Sequence, residues 1–160
     1  MKNLLPVLLL LSLTVSAKTI MLSPGANALY NAVGSASDGD TLVLAEGTYA
    51  ESNSIKPAVP LCILAADGAK PVVSLASRLE VKADIIIKGV DFRANSSSEC
   101  VRMVPGASPY DVTISGCSFS DFSSRTLRVY NTDQTAPYIG SLKIDDCLFS
   151  LPSSRSEEHT

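Results

Sequence analysis

Arg102 and Arg128 are the residues best placed to do chemistry in this sequence. They lie 26 residues apart, each between apolar neighbours in an extended segment, Cys100-Val101-Arg102-Met103-Val104 and Thr126-Leu127-Arg128-Val129-Tyr130. Aligned on a repeat, they would project outward side by side. Two adjacent guanidiniums repel unless an anion lies between them, and guanidinium grips carboxylate or sulfate in a planar fork. Two readings follow: a subsite for an acidic polysaccharide, or a solvated face in which Glu99 or Asp121 neutralises the pair. Arg125, in the preceding turn, fits either. Lys143, Asp91 and Asp121 read as single outward charges. No Gly-rich phosphate loop or Ser-His-Asp set is present, and no group of carboxylates is spaced to hold calcium. Asn95-Ser96-Ser97 matches a glycosylation acceptor, a motif too short to carry weight by itself.

Repeating strands must position these residues. Asp84-Ile85-Ile86-Ile87-Lys88-Gly89-Val90-Asp91-Phe92 returns 27 residues later as Asp111-Val112-Thr113-Ile114-Ser115-Gly116-Cys117-Ser118-Phe119. After 30 more it returns as Ser141-Leu142-Lys143-Ile144-Asp145-Asp146-Cys147-Leu148-Phe149. Alternation means a strand with one buried face, and the central pair means a bend. At this period the pattern predicts a stacked coil. Ile87, Ile114 and Ile144 should form one column, and Phe92, Phe119 and Phe149 another. Gly89 and Gly116 suit bends of unusual φ, with Asp146 a tolerable substitute. An antiparallel sandwich would need hairpin turns such as Asn-Gly, which are missing.

The earlier chain fits the same scheme. Thr19–Leu22 reads as a strand and Ala26–Ser35 as a short helix capping the coil's exposed end. Thr41–Leu44, Thr48–Ala50, Leu61–Ala66, Pro71–Leu75 and Arg78–Lys82 read as extended, and Glu51–Pro60 as a loop.

Composition narrows the classes. The 160 residues carry 13 basic and 16 acidic side chains, a net charge of −3, which speaks against generic nucleic-acid binding. Of the four cysteines, Cys62, Cys100, Cys117 and Cys147, none forms a Cys-x-x-Cys pair, so a zinc site is not expected. Cys117 and Cys147 share a repeat position with Val90. They can be stacked core residues, or an oxidised pair on rungs ~4.8 Å apart.

Both ends look separate from this body. Met1-Lys2-Asn3, the apolar run Leu4–Val15 and the small residues Val15-Ser16-Ala17 predict a signal peptide, residues 1–17, cleaved after Ala17. The localisation expected is secreted, periplasmic or cell-surface, with no membrane span after cleavage. Residues 155–160, Arg155 to Thr160, read like a translated sequencing adapter. The expectation is a gene cut short, with residues 18–154 the N-terminal coils of a β-helix domain. The only histidine, His159, then drops out as a catalytic base.

Helix followed by Gly39-Asp40-Thr41-Leu42-Val43-Leu44-Ala45-Glu46-Gly47-Thr48-Tyr49 resembles the opening of pectate-lyase-like right-handed parallel β-helices. It is most similar to the chondroitinase B and alginate-lyase-like type, and to secreted bacterial β-helix proteins. With the three repeats, the resemblance covers most of Thr19 to Phe149. It implies an all-β solenoid with a short capping helix, and a polysaccharide lyase acting on uronate glycans. Such enzymes use a basic side chain to take the proton beside a uronate, while a cation or calcium neutralises the carboxylate. The resemblance places that constellation on central coils, so no catalytic residue is carried over and no activity is expected of these coils alone. No cofactor is evident, and calcium is an expectation only for an intact protein. Arg102, Arg125 and Arg128 remain the substrate-binding candidates. A non-catalytic glycan-binding or adhesive module is the alternative.

Overall fold

A computed structural model describes residues 16–130 and 139–150. The chain runs as a succession of coils. The first pairs β1 (Thr19–Leu22) with helix α1 (Ala28–Ser35), and the second holds β2 (Asp40–Leu44) and β3 (Thr48–Glu51). Next come β4 (Leu61–Ala65), β5 (Val72–Leu75) and β6 (Leu79–Val81), then β7 (Ile85–Lys88), β8 (Asp91–Ala94) and β9 (Glu99–Met103). The last are β10 (Tyr110–Ser115), β11 (Ser118–Ser120) and β12 (Arg125–Val129), followed by β13 (Ile139–Asp145) and β14 (Leu148–Phe149). Three sheets result, ordered β1-β2-β4-β7-β10-β13, β14-β11-β8-β5-β3 and β12-β9-β6. Every strand pair is parallel. This is a parallel β-helix, and it excludes the antiparallel sandwich.

Register stacks like on like. Ile63, Ile87, Ile114 and Ile144 form one column. Tyr49, Val73, Phe92, Phe119 and Phe149 form a second. The three Phe rings stack face to face, with centroids 5.4 Å and then 5.0 Å apart. A third column runs Ile55, Leu79, Val101, Leu127. Only stacking removes these side chains from water, because one coil is too thin to enclose them.

The bend between the first two sheets repeats too. Gly89, Gly116 and Asp146 take φ of 72°, 60° and 49°. Each glycine N–H reaches the next coil: Gly89 donates to the Ser115 carbonyl and Gly116 to that of Asp145, both at 3.0 Å. A left-handed residue turns the strand sharply while keeping its N–H in the stacking direction.

Helix α1 lays Leu29 and Val33, both buried, over one end of the stack. Glu51 fastens it. Its carboxylate is 1% exposed and accepts the N–H groups of Leu29 (2.9 Å) and Tyr30 (3.1 Å). Those donors have no intrahelical partner and sit at the positive end of the helix dipole. Residues 51–60 are therefore more than the loop expected of them. They begin with this buried carboxylate and carry Ile55, fully buried, into the third sheet. At the far end, Ile144 and Phe149 are 42% and 48% exposed.

All four cysteines are free thiols. Cys117 directs its sulfur at the Ser115 carbonyl and Cys147 at that of Asp145, each at 3.3 Å, so they stack as core residues rather than as an oxidised pair. Burial pushes the Cys117 thiol up to about 11. The signal-peptide run and the adapter-like tail lie almost wholly outside the described residues.

Candidate functional site

The outer face of the third sheet carries the candidate site. Along a strand, side chains alternate inward and outward. Leu79, Val101 and Leu127 point in, so Glu80, Arg102 and Arg128 point out and stack in register. Ile55 bridges to Leu79, which adds Lys56 one coil earlier. The column Lys56–Glu80–Arg102–Arg128 spans three coil steps, about 14 Å at ~4.8 Å per step.

Glu99 is its hub. The residue is 5% exposed. One carboxylate oxygen, Oε2, accepts Arg102 Nε at 2.8 Å and Nη2 at 2.5 Å. The other, Oε1, accepts Arg128 Nη1 at 2.7 Å and lies 4.0 Å from Arg125 Nη1. Burial pushes the Glu99 carboxyl up, but hydrogen bonds from Arg128 and Arg102, with their charges, outweigh burial and hold it below the usual range. The ring of Tyr130 faces both guanidiniums, with their carbons 4.5 Å (Arg128) and 4.9 Å (Arg102) from its centroid. Cation–π attraction thus shares the load of holding like charges on neighbouring rungs.

The cationic face continues toward the capping helix. Lys56 Nζ lies 3.7 Å from Glu80 Oε1, and Arg78 Nε lies 3.6 Å from Glu80 Oε2. Arg78 Nε is buried with no hydrogen bond among the described residues. Beyond Lys56 opens a groove of about 520 Å³ lined by Tyr30, Asn31, Asn53 and Ser54. Among the described residues, five basic side chains on this face meet two carboxylates, Glu80 and Glu99. The protein as a whole carries −3. The face therefore departs in sign from the whole chain.

Arg102, Arg125 and Arg128, singled out from sequence, are brought together here. They are not alike. Arg125 is 55% exposed, while Arg102 and Arg128 are 17% and 28% exposed and committed to Glu99. Of the partners foreseen, Glu99 is the one between them. Asp121 lies elsewhere, its charge acting on Arg93. Asp91 is not a lone carboxylate: Arg93 Nη2 (2.7 Å) and the Ser118 hydroxyl (2.8 Å) donate to it. Lys143 pairs in register with Thr113, away from the site. Lys56, Arg78, Glu80 and Tyr130 were missed. Their signal was present: Ser54-Ile55-Lys56 echoes Arg78-Leu79-Glu80 in its polar–apolar–charged order.

The arrangement can hold anions. It does not suit a divalent cation, because guanidiniums surround its carboxylate. Among the described residues no group of three or more His, Cys, Asp or Glu is placed to bind a metal. The buried hydroxyls of Tyr49 and Tyr110 are committed to carbonyl oxygens. That of Tyr110 is pushed up to about 12 by burial, far from the range of a general base.

No protein-family model and no curated protein matches the chain. Solved structures do. The PL6 family alginate lyase AlyGC superposes with a TM-score of 0.69 at 23% identity, over 84% of this chain. An arginine-to-alanine mutant of the same enzyme gives 0.68 at 24%, again over 84%. The chain shares the alginate-lyase β-helix fold. This bears out the resemblance drawn from the Gly39–Tyr49 opening and the three repeats. The chain spans 20% of the length of these solved chains.

Proposed function

We propose that this chain supplies cap-bearing coils of a secreted, carbohydrate-active β-helix protein, and that the outer face of its third sheet binds an acidic, uronate-rich polysaccharide. One observation carries the reading: three arginines converge on a single buried carboxylate, Glu99, in an acidic protein. Three positive charges on one negative leave the cluster cationic. A polymer with a carboxylate on each ring could contact successive rungs through forked hydrogen bonds. Arg125 is the exposed grip, and Arg102 and Arg128 supply field from behind. The solved neighbours are named as alginate lyases, which agrees with a uronate ligand. No helix among the described residues is long and apolar enough to cross a membrane. Any calcium requirement would belong to a longer protein, since the donors here do not fit it.

A polysaccharide lyase is the activity we propose for an intact protein. A non-catalytic binding module is favoured by a separate observation: Arg102 and Arg128 are hydrogen-bonded to Glu99, an arrangement that holds charge in place rather than moving a proton. Affinity electrophoresis of the chain through alginate and through a neutral glucan tests the shared part. Retardation by alginate alone, weakened by salt, is expected. Equal mobility in both gels would overturn the proposal. Binding with a rise in ultraviolet absorbance from unsaturated uronate ends selects the lyase, and binding without it selects the module.

A further inference from the structure

We propose that the chain is processed at the Ala17–Lys18 peptide bond and that the α-ammonium so released is captured by the carboxylate of Asp40. The inference rests on the secretion in the function proposed above, but not on glycan binding.

Three observations meet at this bond. First, Val15-Ser16-Ala17 gives the small-residue spacing that a secretory endopeptidase accepts, after an apolar run from Leu4. Second, the ordered sheet begins there. Ser16, Ala17 and Lys18 are exposed and outside any strand, while β1 starts at Thr19 and the Lys18 carbonyl already accepts the Thr41 N–H at 2.8 Å. Third, the Lys18 main-chain nitrogen already lies 2.8 Å from Asp40 Oδ1. Asp40 is 2% exposed, and its Oδ2 accepts the Ser37 N–H at 2.8 Å.

Asp40 accepts two main-chain N–H groups, those of Lys18 and Ser37, and a positive charge on the Lys18 nitrogen would strengthen the first of these contacts. Hydrolysis adds water across the Ala17–Lys18 C–N bond. Ala17 leaves with the new carboxylate, and the Lys18 nitrogen becomes an amine that takes a proton at neutral pH. One neutral N–H facing Asp40 is then replaced by three donors and a full positive charge. The contact becomes a charge-assisted pair at the entrance to the first sheet. Cleavage at this bond would thus strengthen the first coil, and Asp40, one residue before Thr41, links the new terminus to β2.

Expressed as the full chain in an export-competent bacterial host, the exported protein should have an intact mass that begins at Lys18. A different terminus, or an unprocessed chain, overturns the proposal. The capture is tested by comparing the form starting at Lys18 with one that retains Ala17. Asp40→Asn should lower the melting temperature of the Lys18 form by roughly 2–4 °C more than that of the extended form. Equal losses overturn it. Should the variant fail to fold, the wild-type α-amine supplies the readout. It should react with an acylating reagent about tenfold more slowly than that of an unstructured peptide, one pKa unit being a factor of ten. Equal rates overturn the capture. Failure here with intact alginate binding removes the processing inference alone.

Discussion

Arg102 and Arg128 lie one rung apart, in register, and share the two oxygens of Glu99 between them. Like charges are stacked because one carboxylate and one aromatic ring, Tyr130, separate their fields. Removing any member therefore tests two things, fold and binding.

Arg125 separates them. It is the exposed member and makes only a 4.0 Å contact with Glu99. Arg125→Ala should leave the melting temperature near that of wild type. It should weaken alginate binding about two- to fivefold and reduce its salt dependence. Titration at two ionic strengths measures both. Arg102→Ala, by contrast, strips the nearly inaccessible Oε2 of both its donors and should cost about 1–3 kcal/mol in denaturant unfolding.

The Glu99 carboxyl titrates below its unfolded value, which is near 4.3. The stabilisation it supplies is complete above that value and drains away as pH falls through the lowered folded one. Asp40, lowered by hydrogen bonds from Ser37 and Lys18, adds in the same sense. Melting temperatures in acid should fall steeply for wild type and less steeply for Glu99→Gln. Parallel curves would remove Glu99 from the account.

Phe119 sits between Phe92 and Phe149 and is 1% exposed. Phe119→Ala should cost ~3–5 kcal/mol in denaturant unfolding. Phe149→Ala should cost far less, because that ring is already half in water.

Glu51 fixes the cap. Glu51→Ala leaves the N–H groups of Leu29 and Tyr30 without their acceptor at the helix start. About 1–3 kcal/mol should be lost. Hydrogen exchange should speed up at Leu29 and Tyr30 before it does in β7 or β10.

The groove beyond Lys56 extends the face proposed to bind glycan. Tyr30 there is 39% exposed. Tyr30→Ala should weaken binding of long alginate fragments about two- to tenfold and leave disaccharide binding unchanged, because only long chains reach from Arg125 to this groove. Isothermal titration with fragments of graded length checks it.

The stack was legible because its cause is periodic. Ile87, Ile114 and Ile144 recur with a bend and a Phe at fixed offsets, and parallel register must align them. The left-handed bends at Gly89, Gly116 and Asp146 could be read for the same reason. Glu51 was hidden in a polar, proline-bearing stretch, where the short echo of Arg78-Leu79-Glu80 in Ser54-Ile55-Lys56 was the one mark of Ile55. Glu99 was visible as a neighbour of Arg102, but its burial was not.

The sequence by itself determined the coil, its columns and the identity of the stacked arginines, since local alternation and a repeat length fix a parallel register. It did not determine which charges neutralise which. Glu99 reaches Arg128, Tyr130 reaches Arg102 and Glu80 reaches Lys56 across coils some two dozen residues long, and such contacts depend on side-chain reach and on exclusion of water. Only the tertiary structure decided that Glu99 is buried among guanidiniums, that Glu51 holds the cap, and that Asp40 faces the nitrogen of Lys18.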